Sequence, residues 1–388
     1  MFLAITNTPR DYAWGSTTAI AELLGRRPSG RPEAELWLGA HPGSPSVVVA
    51  PAVVGGADTL ADWFAAEPAR ALGRDRDELP FLLKLLAADG PLSIQAHPTP
   101  EQAREGFARE NEAGVPLDAA ERNYKDASAK PEIIVALSDT FDALCGFRDP
   151  VDALADLDLL DGGSGRLARF RGHVSDSLRS ALTFLFEGGD EAAATVSAVS
   201  ELAAAHRGDG ASIATVVDLA ERYPGDPGVV LSLLLNRVTL TAGEALFLPA
   251  GNVHAYLGGF GVELMAPSDN VLRGGLTPKH VDVPELLRVL DFEPLPVPRL
   301  EPREVARGVE RFAPEGTGFA LLRVDARGTG AVVEIGGPSI VLVTEGEIHV
   351  KGQDGTIRLG RGESAFVTPD EVRLAMTGGG TAYVATPA

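Results

Sequence analysis

The chain has 388 residues, 45% of them hydrophobic and 23% charged, with a formal net charge of −20. That length predicts two or three domains with ample apolar material for their cores. The charge argues against a nucleic-acid or anionic-membrane binder, and any phosphorylated ligand needs a local cationic cluster. Cys145 is the only cysteine, so intramolecular disulfides and a Cys-based metal site are excluded. The opening "MFLAITNTPRDYAWG" lacks the basic and apolar regions of a signal peptide, and no apolar run is long enough to span a membrane. A cytoplasmic location is therefore expected.

In chain order, "AELWLGAHPGSPSVVV" predicts short strands and loops, and "TLADWFAAEPARALG" predicts a helix capped by Thr59. "FLLKLLAA" fits a strand or a buried helix. "LSIQAH" alternates as a strand. "TPEQAREGFAREN" then opens a helix with Thr99 as N-cap, Pro100 at the first position and Gln102 completing a capping box. "PEIIVAL" predicts a buried strand from Pro131. From about residue 150 to 222, Ala- and Leu-rich segments at helical spacing replace the β pattern. "VTLTAGEALFLPAGNVHAYLGGFGVELMAP" returns to strands, "VPELLRVLDF" predicts one more helix, and "EPLPVPRLEP" reads as a linker. The tail reads as short strands with Gly-rich turns.

An internal echo accompanies these elements. "LTAGEALFLPAGNVHAY" and "LGRGESAFVTPDEVRLA" align on Gly243-Glu244 and Gly362-Glu363, and on Phe247 and Phe366. In that register His254 falls opposite Arg373. The fold expected is mainly β with an α insertion: two related β-barrel or jelly-roll units plus a helical domain. The boundaries expected are a discontinuous first unit over 1–149 and 228–292, a helical insertion over 150–227, and a C-terminal β domain over 303–388.

Chemistry concentrates around polar side chains set in apolar strands. Gln95 and His97 share one face of a strand by their i, i+2 spacing. Grouped with Glu132 and His254 they make a plausible N₂O₂ set for Zn²⁺ with an open position. The same residue types also occur as satisfied buried polar side chains, and spacing links only Gln95 to His97. Lys84 sits in "FLLKLL", where a lysine needs a partner to be buried. Lys130 is two residues before Glu132, Ser93 two before Gln95, and Arg273 and Lys279 lie in "SDNVLRGGLTPKH". Cations and a hydroxyl around an open metal site suit a phosphorylated polyol or sugar, while each cation alone can equally neutralise a nearby acid. No P-loop, G-x-S-x-G or H-E-x-x-H occurs. His41 reads as structural, His173, His206 and His349 as exposed, and His280 as an edge residue.

"PFLLKLLAADGPLSIQAHPTPEQA", "NYKDASAKPEIIVALSDTFDALCGF" and "LFLPAGNVHAYLGGFGVELMAPSDNVLRGGLTPKHVDVPELL" resemble the signature blocks of the type I mannose-6-phosphate isomerase family, as do "YAWGS" and "ELWLGAHP". The resemblance covers about residues 1–290. It implies a cupin-type enzyme with one zinc ion that interconverts mannose 6-phosphate and fructose 6-phosphate through a cis-enediol(ate), serving sugar catabolism or GDP-mannose synthesis. It places the zinc ligands on Gln95, His97, Glu132 and His254, and the phosphosugar site on Ser93, Lys84, Lys130, Tyr256, Glu263, Asp269, Arg273 and Lys279. Glu263 is the expected base, with Lys130 and His97 as alternatives. Arg273 is expected to stabilise the intermediate. One departure stands out: Ala129 replaces the histidine of the N-H-K-P-E pattern found in many bacterial members. A monomer acting on a small phosphosugar is expected, with no nucleic-acid or membrane partner. The rival reading is a non-enzymatic sugar-phosphate-binding cupin regulator.

Overall fold

The computed structural model describes residues 1–388. Strand and helix are nearly balanced, at about 30% and 29% of the chain. The expectation of a mainly β protein is corrected accordingly: the helical block is joined by helices outside it, such as Leu60–Ala66 and Pro100–Glu112. The strands form antiparallel sheets of nine, eight and four strands, and none closes into a barrel.

The long strand His254–Met265 organises the nine-stranded sheet. Its first half pairs with Gln95–Ala96 and Phe141–Phe147, and its second half with Leu82–Ala88 and Glu132–Ala136. The change of partners falls at Gly258-Gly259. Gly259 has φ +126°, and a Cβ there would lie 2.7 Å from the Phe141 Cα, so only glycine fits. One strand thereby delivers His254 and Glu263 to different partners. "FLLKLLAA" is a strand, Leu82–Ala88, buried on both faces, which is why its period was uninformative. "LSIQAH" is strand only at Gln95–Ala96, where it pairs with His254 on one side and Arg273 on the other.

The helix after His97 starts as its sequence dictates. Thr99 and Gln102 form the reciprocal capping box, and Pro100 opens the first turn. Five helices fill Pro150–Asp161 to Ala211–Arg222. Their core is continuous with Ile94, Ala96, Leu144, Val253 and Leu272, so the helices back the strands that carry the site. A second core of 30 buried residues joins the first unit to the C-terminal one, running from Leu83, Leu85 and Ile133 to Ile340 and Phe366. The strand Phe2–Thr6 pairs with Ser364–Val367 and so belongs to the sheet of the C-terminal unit. The four-stranded sheet packs on that sheet over a third core of 18 residues.

The internal echo coincides with structure. Ala245–Leu248 and Ser364–Val367 are both strands, and after identical spacings the next strands begin at His254 and Arg373.

Candidate metal centre and substrate site

His97, Glu132 and His254 arrive from three places in the chain and are buried together, their ligand atoms within 4.8 Å of one another. The Nε2 atoms of His97 and His254 each lie 3.4 Å from a Glu132 carboxylate oxygen. Both rings are oriented from behind. His97 Nδ1 donates to the Asn270 carbonyl at 2.7 Å, and His254 Nδ1 to the Asn252 carbonyl at 3.1 Å. Such bonds fix the tautomer and aim Nε2 inward, as ligating histidines require. The Gln95 amide lies 3.3 Å from His254 Nε2, and its oxygen reaches that place by a half-turn of the amide.

The donor set fits a metal ion. His97 Nε2 and Glu132 Oε2 are buried without a hydrogen-bond partner, which is costly in a protein interior unless a ligand completes them. Protonation states agree. Burial, and then the Lys130 charge, push the His97 imidazole down to about 4, so it is a neutral donor at pH 7. Burial would raise the Glu132 carboxyl, but Lys130 and His97 outweigh it and hold it well below the usual carboxylate range. Lys130 Nζ is 2.9 Å from Glu132, although the strand starts only at Glu132 and so does not carry Lys130.

A second buried charge cluster adjoins this set. Lys84 Nζ lies 3.2 Å from Glu263 and 3.7 Å from Glu35, and 4.8 Å over the Trp37 ring. The partner that its apolar run demanded is therefore a pair of carboxylates on the flanking strands, Trp37↔Lys84↔Glu263 in register. Burial would lower the Lys84 ammonium, but Glu35 and Glu263 hold it above its ordinary value. Burial raises the Glu263 carboxyl, with Lys84 opposing. The Tyr256 hydroxyl is buried without a hydrogen-bond partner; burial, and then Glu263, push it well above the usual phenol range.

Arg273 lies beside Gln95 in register, and its guanidinium forms no hydrogen bond within the chain. Lys279 is exposed, its ammonium lowered by burial and then by Arg273. Ser93 is half-buried, and Asp269 is exposed at the end of the loop that supplies Asn270.

Several contributors escaped the sequence. His41, expected to be structural, is buried with Nε2 3.4 Å from Asp269, while its Nδ1 accepts from the Gly43 N–H. Glu35 accepts from Trp37 Nε1 at 2.8 Å. Asn270 binds Lys125 N–H and the Asp126 and Ser128 carbonyls, tying the loop before Glu132 to the loop that orients His97. Only the Asx-prone "PSDN" and "YKDAS" compositions hinted at this knot. His173, expected to be exposed, stacks half-buried on Phe184.

The model of the type I phosphomannose isomerase catalytic domain matches residues 2–150. Over 97% of both chains, the sequence is 39% identical to mannose-6-phosphate isomerase of Salmonella typhimurium and 38% identical to that of Escherichia coli. The bovine mannose-6-phosphate isomerase is 31% identical over 95% of this chain and 94% of its own. A crystal structure of the Salmonella typhimurium enzyme bound to its substrate fructose 6-phosphate and to zinc superposes with a TM-score of 0.90 at 36% identity, covering 100% of this chain and 99% of that one. No helix of this chain is long and apolar enough to cross a membrane.

Proposed function

The chain belongs to the type I phosphomannose isomerases, and from that premise we propose how its site turns mannose 6-phosphate into fructose 6-phosphate and back. It is a zinc-dependent aldose–ketose isomerase. We read its two strand units as cupin-like, the first over 1–149 and 228–292 with the helices of 150–227 inserted, the second over 303–388 with Phe2–Thr6 added to its sheet.

Gln95, His97, Glu132 and His254 hold the zinc. When bound, it supplies Lewis-acid stabilisation of a substrate oxygen on which charge develops. The other residues divide the remaining work. Isomerisation of the open-chain aldose removes a proton from C2 while O1 gains one, leaving a cis-enediol. Returning a proton to C1 as O2 gives up its own yields the ketose. One carboxylate can serve both transfers if it faces C1 and C2 together. Glu263 takes that role: its carboxyl is desolvated and raised, which strengthens it as a base, and Lys84 keeps it ionised. Lys130, held on Glu132, faces the same space as a proton donor to oxygen.

Tyr256 keeps its proton and donates it in a hydrogen bond, since its hydroxyl has no other partner. Arg273, unpaired and next to Gln95, meets the negative charge of the enediolate. Ser93 and Lys279 hold the phosphate. Lys84 contributes to the field there, although its ammonium is already shared by two carboxylates. Asp269, braced by His41, accepts from a sugar hydroxyl.

The observation that carries this reading is the buried trio with two donor atoms left unpaired and both rings aimed inward. A coupled assay of fructose 6-phosphate formation, with chelator and then with zinc restored, tests it. Turnover that disappears and returns is expected. Full turnover after verified metal removal overturns the metal's role, and metal-replete protein without turnover overturns the reading as a whole.

A further inference from the structure

Strand register carries the geometry of the catalytic centre into the C-terminal unit. Glu334 pairs with Arg373 as Gln95 pairs with His254. Ser339 pairs with Val367 as Glu132 pairs with Leu248. Val384 lies between Leu322 and Val341 as Glu263 lies between Lys84 and Ile134. Arg311 sits beside Leu322 as Trp37 sits beside Lys84, and Gly336 stands where the first unit has His97. The metal ligands are thus replaced by Glu334, Gly336, Ser339 and Arg373, and the buried Lys84–Glu263 pair by Leu322 and Val384.

The space itself has not been filled. A cavity of about 480 Å³ opens there, walled by Val309, Leu322, Val333 and Ile335, with Arg311 and Arg373 among its lining residues. That volume suits a small molecule. Arg311 Nε is buried with no hydrogen-bond partner, and neither arginine forms an ion pair. An unsatisfied buried guanidinium nitrogen is costly, and this one is left unpaired in a chain of net charge −20, where carboxylates abound. At the rim, Val305 and Val332 are 45% and 37% exposed. Half-buried Arg311 and exposed Arg373, both bordering the aliphatic walls, match an anion with an apolar body. Besides the arginines, only Thr386 and Glu334 bring polar side chains to the lining, few for the several hydroxyls of a sugar, and Glu334 opposes a dianion.

We infer that this cavity is a second small-molecule site, which binds an organic monocarboxylate with a compact aliphatic body, the carboxylate held by Arg311 and Arg373. The guanidinium fork matches a carboxylate, and the valine and leucine walls match the hydrocarbon.

Calorimetric titration of the full-length, zinc-loaded protein with 4-methylpentanoate tests it, with 4-methylpentan-1-ol as the neutral control. Saturable binding at one site per chain is expected, with a Kd of about 1 mM or tighter and no comparable binding of the alcohol. Arg311→Met and Arg373→Met should each weaken binding about tenfold or more, the loss of one charge-assisted hydrogen bond, and leave kcat and KM unchanged. Val305→Trp, at the exposed rim, should block entry without touching the core. Absence of saturable binding up to about 20 mM, equal binding of the alcohol, or unchanged affinity in all three variants overturns the inference. Competition by fructose 6-phosphate also overturns it, because it moves the binding to the catalytic centre.

Discussion

The metal-binding unit and the C-terminal unit follow one strand plan but solve opposite physical problems at its centre. The first buries Glu35, Lys84, Lys130, Glu132 and Glu263 within a few strands of each other. Each is compensated by a named partner: Lys84 by two carboxylates, Glu132 by Lys130. The second has Val309, Leu322, Ser339 and Val384 at the matching strand positions for Glu35, Lys84, Glu132 and Glu263, which puts apolar core beside an open cavity where the first has buried charge. The plan supplies geometry, and the side chains decide whether it does chemistry.

Removing one of the proposed zinc ligands breaks the comparison most sharply. His254→Ala should lower bound zinc from one per chain to near zero and turnover by about a thousandfold or more, since a bound cation is worth several kcal/mol at a developing charge. Elemental analysis of the purified variant measures the metal. One zinc per chain remaining would mean that Gln95, His97 and Glu132 hold the metal without His254.

The buried ions give the next effect. Lys84→Ala leaves Glu35 and Glu263 buried without their cation and should cost about 3–5 kcal/mol in urea unfolding of the metal-free protein. Copying the C-terminal unit with Glu35→Val, Lys84→Leu and Glu263→Val together should recover most of that loss while abolishing turnover. A triple variant as unstable as the single one would show that the charges are needed for folding. Arg273→Met should keep its zinc but lower kcat about 10²–10³-fold, the scale of losing one preorganised donor to an oxyanion. A change confined to KM would reassign Arg273 to phosphate binding.

How much of this was legible follows from which contacts are local. Gln95 and His97 announce a shared face by alternation alone, and Thr99, Pro100 and Gln102 announce the helix that follows. The lone lysine in "FLLKLL" announced that partners existed but not which ones, because Glu35 and Glu263 join it only through strand pairing. Asn270 and Asn252 act through backbone carbonyls, which carry no side-chain signal, so the orientation of both imidazoles was invisible. The repeat was readable only from Gly243 and Gly362 onward. Upstream, Gln95–Ala96 and Ala331–Glu334 occupy one position in the plan with no sequence likeness, since one adjoins the candidate metal centre and the other a cavity with aliphatic walls.

The smallest effect concerns pH. His97 is buried with its imidazole lowered to about 4, whereas the matching position, Gly336, has no titrating group. In metal-free protein the unfolded chain gains a proton at this histidine as pH falls below about 6.5, and the folded chain resists until about 4. The stability linked to His97 is therefore fully present above about 6.5 and is lost as pH falls to about 4, by about 3 kcal/mol at most. His97→Gln keeps a polar side chain and removes the titration. Urea unfolding of both metal-free proteins across this range should show the wild-type curve falling towards acid more steeply than the variant's. Parallel curves would mean that the imidazole is solvated when zinc is absent, and that the closed pocket around Glu132 opens without its metal.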